Sequence, residues 1–274
     1  VNVVAPTSLD EGLEALARDR SLAVLGGGTD FMVEVNFDRR RPSSVLSLHR
    51  IAELRAWSHV DSVLTIGASV TCSTLERPEF QMLVPALSQA ARTVGSPQIR
   101  NAASIGGNLG TASPAGDLLP VLSALDATIR VARTGRVRDL SIHDFLVGPK
   151  RNALEPDELI THVAVPTFGR PQEFLKVGPR NAMVIAVASV AMVRGHDDLR
   201  VALGSVGPTV VRARTAEAWI ATRGFDPAAI DEFGTRVAAD ALPIDDHRSS
   251  AAYRSHAIRV CATRAARRVL EVAG

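Results

Sequence analysis

At 274 residues and 29.1 kDa the chain is long for one domain, and roughly 150 residues per domain predicts two, with room for a third small one. A hydrophobic content of 46% against 22% charged residues excludes wholesale disorder. The net charge of +2, with the basic residues spread along the chain and not gathered in a block, argues against a nucleic-acid partner. The longest nearly uninterrupted apolar run, 184–193, is about half of the ~20 residues a bilayer span needs, so no membrane span is expected. Residues 1–7 have neither the basic start nor the long apolar stretch of a secretory signal, and a cytoplasmic location is the default expectation.

In chain order, 2–5 reads as a short strand, Ser8 caps a helix through Asp19 with Leu9, Leu13 and Leu16 on one face, and 22–25 reads as a second strand. A glycine run, Gly26-Gly27-Gly28-Thr29-Asp30, lies at the next strand-to-helix junction, followed by a third strand over 45–48 and a helical turn over 51–55. From Trp57 the texture changes to short strands such as 63–66, with a helix over 85–94 and a second glycine pair at Gly106-Gly107. A helix over 117–125 and strands over 128–132, 137–140 and 159–165 complete that unit. The stretch 166–171, with Gly169 between two prolines, is the predicted boundary. Beyond it, strands over 173–177, 184–193 and 199–205 precede helices near 215–222, 227–240 and 249–272, which predicts a three-stranded antiparallel sheet covered on one side. The fold class is therefore α+β, with units at 1–55, 56–167 and 168–274.

The two cysteines, Cys72 and Cys261, are far apart and form no CxxC, so this chain offers no thiolate set for zinc or an iron–sulfur cluster, and both are expected as buried thiols. The seven histidines show no HxH or HxxxH spacing. Chemistry concentrates instead in two segments. Glycines at a strand-to-helix turn let backbone amides approach an anion, so Gly26 to Asp30 reads either as a phosphate cradle or as a tight turn with Asp30 capping the following helix. The run is not a dinucleotide fingerprint, because Phe31 stands where GxGxxG from Gly26 requires glycine, and it lacks the GK[ST] of a P-loop. The second segment, 99–117, packs glycines, hydroxyl residues and amides ahead of an apolar helix. Its Asp117 reads either as a site acceptor or as an N-cap.

These segments are Gly27-Gly28-Thr29-Asp30, then Ile99-Arg100-Asn101, two alanines and Ser104-Ile105-Gly106-Gly107-Asn108, and finally Ser113-Pro114-Ala115-Gly116-Asp117. In that order and spacing, with 66–71 ending a strand between them and Phe174 to Gly178 plus Arg180 beyond, the chain resembles the FAD-binding subunits of the xanthine dehydrogenase and carbon monoxide dehydrogenase family of molybdenum hydroxylases. The resemblance covers essentially the whole chain. It implies FAD held between the first two units of a vanillyl-alcohol-oxidase (PCMH) type fold, with a third, family-specific C-terminal domain. By position, it carries Gly26, Gly27, Gly28, Thr29 and Asp30 to a first pyrophosphate loop and Ser104, Ile105, Gly106, Gly107 and Asn108 to a second. Thr111, Ser113 and Asp117 fall along the ribityl and pyrophosphate region, and Ile160 and Lys176 near the flavin ring. Asp30 is expected to point away from the phosphates into its own helix start.

The resemblance further implies an electron-transfer subunit with no catalytic side chain or metal of its own. Its partners would be a small subunit with two 2Fe–2S clusters and a large subunit with the molybdenum cofactor, in a dimer of heterotrimers, with NAD, a quinone or oxygen as final acceptor. The GGTD form of the first loop leans toward a xanthine dehydrogenase-like complex. A self-contained flavin oxidoreductase of the same fold is the alternative, and a module that has lost the cofactor stands behind it.

Overall fold

The computed structural model describes every residue except Phe168, Arg170, His196, Phe225 and 272–274, and leaves out the side chains of Pro227 and Glu271. The expected boundary stretch contains Phe168 and Arg170, so the division at 167/168, the helix end at Val272 and the histidine at 196 lie outside the described residues.

The N-terminal part is β1 (Asn2–Val4), α1 (Leu9–Arg18), β2 (Ala23–Leu25), α2 (Phe31–Asn36) and β3 (Ser44–Ser47). Its strands form a parallel sheet in the order β1-β3-β2. The Ser8 hydroxyl accepts from the Glu11 amide and caps α1, whose Leu13 and Leu16 are buried, as the periodicity predicts. By contrast α2 buries none of its residues.

The middle part contains β4 (Trp57–Val60), β5 (Val63–Gly67), α3 (Cys72–Leu75), α4 (Pro78–Leu83), α5 (Pro85–Thr93), α6 (Pro97–Ala102), α7 (Ile105–Thr111) and α8 (Leu118–Ala124). It continues with β6 (Thr128–Arg133), β7 (Arg136–Ser141), α9 (Ile142–Phe145), β8 (Leu146–Gly148), β9 (Arg151–Asn152) and β10 (Leu159–Pro166). Five strands pair antiparallel in the order β4-β5-β10-β6-β7, while β8 and β9 make a small ribbon. The second glycine-bearing segment is not an open loop. It folds into α6 and α7, each begun by a serine whose hydroxyl accepts from an amide of the first turn, Ser96 from Ile99 and Ser104 from Gly107.

The C-terminal part is β11 (Gln172–Val177), β12 (Ala188–Arg194), β13 (Leu199–Gly204), β14 (Val211–Arg212), α10 (Arg214–Ala221), α11 (Ile230–Ala239) and α12 (Ala251–Glu271). Its antiparallel sheet has four strands, β11-β12-β13-β14, where three were expected. The extra strand is two residues long, below the length at which alternation can be read. The sheet is also covered on both faces. Ala188, Val190 and Met192 of β12 join the core under α10 to α12, while Ala191 and Val193 join the larger core of the first two parts. On that second face Gly204 lies so near α8 that a Cβ there would stand 2.7 Å from Pro120 Cγ. The near-continuous apolar run of β12 is that of a strand buried on both sides.

Candidate functional site

The first glycine run leaves β2 and turns at Gly28, whose φ of +76° favours glycine. A Cβ on Gly27 would fall 1.6 Å from the carbonyl oxygen of Ala102, so this loop lies against the backbone at the end of α6. The neighbouring Gly26 faces the Ser104 hydroxyl, 3.7 Å from the place of its missing Cβ. The two sequence segments, some eighty residues apart, are thus one place. The amides of Gly27, Gly28, Thr29, Asp30 and Phe31 meet no acceptor among the described residues. Consecutive free amides in a glycine turn at a helix start are the donor set an anion needs.

Asp30 departs from its expected role. It has helical backbone angles, φ −91° and ψ −40°, and makes no side-chain cap on α2. Its Oδ2 instead accepts from Thr111 Oγ1 at 3.1 Å, tying the first loop to the end of α7. An N-cap side chain reaches back to its helix from extended backbone, and Asp30 does not have that conformation.

The start of α7 also differs from an open phosphate loop. The Ile105 amide donates to Val70 O at 3.0 Å, that of Gly106 to Ala68 O at 2.8 Å and that of Gly107 to Ser104 Oγ at 3.1 Å. Ile105 and Gly106 therefore fix the segment against the strand end at 68–70. A Cβ on Gly106 would press within 2.6 Å of Ala68 O, whereas one on Gly107 would meet only Ser104 Oγ, at 3.2 Å. Gly107 lines exposed space, and the Ser104 hydroxyl keeps a proton to donate into it. Asn108 Oδ1 is buried without a hydrogen-bond partner in the structure, and Ser113 Oγ accepts from the Ala115 amide at 3.3 Å.

Asp117 is buried, with 6% of its surface exposed, and like Asp30 it makes no cap on the helix it precedes. Its Oδ2 accepts from Lys176 Nζ at 2.5 Å and Thr93 Oγ1 at 3.2 Å, while Oδ1 has no partner. Lys176 also donates to the Thr93 carbonyl at 3.1 Å. Burial pushes the Asp117 carboxyl up from its usual range, against the pull of the Lys176 ammonium. Nearby Cys72 is a buried free thiol pushed up to about 12, first by burial and then by the fields of Asp117 and Glu76. Ile160 is buried at the bulge of β10 in the large core. Thr93 escaped the sequence reading because nothing distinguishes a threonine at the end of α5 until β11 brings Lys176 to it. No helix of the described residues is long and apolar enough to cross a membrane, and none of their His, Cys, Asp and Glu side chains form a group that could hold a metal ion.

Residues 1–168 match the family described as the FAD binding domain in molybdopterin dehydrogenase, and residues 173–269 the CO dehydrogenase flavoprotein C-terminal domain. The chain is 36% identical over 202 residues to the nicotinate dehydrogenase FAD-subunit of Eubacterium barkeri, covering 71% of this chain and 68% of that protein. It is 29% identical over 272 residues to the glyceraldehyde dehydrogenase medium chain of Sulfolobus acidocaldarius, covering 97% of each. Among solved structures, a chain of carbon monoxide dehydrogenase from Hydrogenophaga pseudoflava superposes with a TM-score of 0.90 at 26% identity, over 98% of this chain and 97% of that one. The chain belongs to the FAD-binding medium subunits of the molybdopterin dehydrogenases, the family of the xanthine and carbon monoxide dehydrogenases.

Proposed function

We propose that FAD lies along the line of contacts from Gly26 to Lys176, and that the chain carries electrons for a molybdenum hydroxylase. The small subunit of that complex would bring two 2Fe–2S clusters and the large subunit the molybdenum cofactor. A dimer of heterotrimers is the proposed assembly, and NAD, a quinone or oxygen the final acceptor. The GGTD loop and the likeness to a nicotinate dehydrogenase subunit support a heterocycle-hydroxylating, xanthine dehydrogenase-like complex.

The observation that carries this reading is the run of five amides without acceptors among the described residues, 27–31, in the loop whose Gly26 faces the Ser104 hydroxyl, the same hydroxyl that borders the open side of Gly107. In this arrangement Gly26 to Asp30, with Ser104, Gly107 and Asn108, solvate a pyrophosphate through amides and hydroxyls, while Ile105 and Gly106 hold the segment in shape. Thr111 and Ser113 line the ribityl side. The unpartnered Asp117 Oδ1 accepts from cofactor hydroxyls, and Ile160 and Lys176 flank the ring end. A bound flavin supplies a carrier that takes electrons singly and releases them in pairs. The chain's own part is to bind and orient it. The sheet composition supports a vanillyl-alcohol-oxidase type arrangement, with units at 1–55, 56–167 and 168–274.

The purified chain should bind FAD and bleach with dithionite. It should show no bleaching with heterocyclic or aldehyde substrates until the iron–sulfur and molybdenum chains are added. Direct reduction by such a substrate at the rate of the whole complex would replace this reading with a self-contained flavoenzyme, and absence of FAD binding would leave a module without cofactor.

A further inference from the structure

Arg254 is the largest fully buried side chain described, 2% exposed and placed near the start of α12. Its Nη1 donates to two backbone carbonyls, Val187 O at 2.8 Å and Ser205 O at 2.7 Å, and its Nη2 to Asp246 Oδ1 at 2.7 Å. Ser205 has a left-handed φ of +65°, an uncommon conformation for serine. The same residue donates its amide to Pro114 O at 2.8 Å, inside the segment that lines the proposed ribityl side. Val187 donates to Val177 O at 2.8 Å, which closes the loop 178–186 immediately after Lys176. One guanidinium therefore holds a turn that grips Pro114 and the end of a loop that begins beside Lys176. A fork-shaped, permanently charged donor suits three acceptors in different directions.

We propose that Arg254 is the positioning residue of the cofactor site. Anchored by Asp246 and acting on both segments through their backbone carbonyls without touching the flavin, it fixes the Pro114 edge and the loop 178–186 against each other. The inference rests on the reading of FAD between Gly26 and Lys176. A buried cation paired with Asp246 that also donates to carbonyls of two separate segments, one of them in strained backbone, does more than fill a core. It selects one arrangement of those segments, and a ligand that needs that arrangement binds more weakly when it is populated for only part of the time.

The test uses the full chain as Arg254→Met and Arg254→Lys, with Phe233→Leu in the α11 core as a control for general destabilisation. Exposed Arg180 provides a tryptic site inside the loop. Arg254→Met should be cut after Arg180 roughly tenfold faster and bind FAD roughly tenfold more weakly, with an altered flavin absorption band, as for a site formed a tenth of the time. Arg254→Lys, which keeps the charge but not the fork, should fall between the two, while Phe233→Leu should lower the melting temperature without the cleavage or spectral change. Should the methionine variant fail to fold, the lysine variant decides. Wild-type cleavage, affinity and spectrum in a folded lysine variant, or the same losses in Phe233→Leu, would overturn the proposal. A wild-type chain that binds no FAD would defeat the proposed function, and the cleavage arm would still report on the clamp.

Discussion

Lys176 Nζ lies 2.5 Å from Asp117 Oδ2, with both side chains 7% exposed, so a strand of the C-terminal sheet and the start of α8 share one buried ion pair. Breaking such a pair on one side leaves an uncompensated charge, and Lys176→Met is expected to cost about 3–5 kcal/mol in a urea denaturation curve. The double variant Lys176→Met/Asp117→Asn should recover most of that loss. Recovery of none of it would mean that the two residues stabilise the chain independently.

The free Oδ1 of Asp117 gives a second expectation. Asp117→Ala should weaken FAD binding by about 1.5–3 kcal/mol, roughly tenfold to a hundredfold, as for a lost charged hydrogen bond. An unchanged dissociation constant beside a lowered stability would confine Asp117 to its pair with Lys176.

The glycines separate packing from binding. Gly107→Asp puts a side chain and a negative charge into the space beside Ser104 and should empty the site of FAD while leaving the circular dichroism and melting curve close to wild type. Gly27→Ala should damage the fold itself, because its methyl would meet the Ala102 carbonyl at 1.6 Å. Full flavin occupancy in Gly107→Asp would move the anion site elsewhere.

Acid should act at Asp126. Burial raises its carboxyl, but the His143 hydrogen bond and the charges of Arg212 and Arg200 outweigh that and hold it below its ordinary value of 3.8. Arg212 Nη1 stands 2.7 Å and Arg200 Nη1 3.1 Å away, both from the C-terminal sheet. A depressed carboxyl contributes stability in full above its unfolded value and loses it as pH falls through the folded one. Asp126→Asn should therefore be less stable than wild type at neutral pH, and the gap should narrow below about pH 4. Denaturation midpoints across pH 2–7 measure this, and a gap of constant size would show that Asp126 acts through shape alone.

The thiols should be silent. Burial raises both, Cys72 to about 12, so neither offers a thiolate at pH 8. A chromogenic disulfide reagent should find no rapid thiol in the native chain and both after denaturation.

Most long elements were legible in the sequence from a period or an apolar run: α1 from the spacing of Leu13 and Leu16, and β10 and β12 from their apolar runs. The two segments of the proposed site stood out by their glycine and hydroxyl density, and the structure brings them together where Gly27 lies against Ala102. What escaped depends on partners distant in sequence. Asp30 finds Thr111 and Asp117 finds Lys176 only after the parts have packed, so local sequence offered helix capping as a reading of each. The helix α7 was hidden because Gly106, Gly107 and Gly110 are poor helix formers, and it is held from outside by Ala68 and Val70. Nothing local marked Arg254, since an arginine near the start of a polar helix is ordinarily a surface residue.

The middle sheet has a consequence for how the chain is made. Its central strand β10 is synthesised last, and it pairs with β5 through Ile66 and Val163 and with β6 through Ile129 and Val163. A nascent chain ending near residue 141 holds the hairpins β4–β5 and β6–β7, whose inner edges have no strand between them. Sheet closure therefore waits for the ribosome to release residues 159–166, and pairing at such sequence separation is slow. Until then two apolar edges stand open to other chains, which makes this interval the one in which a chaperone would matter most.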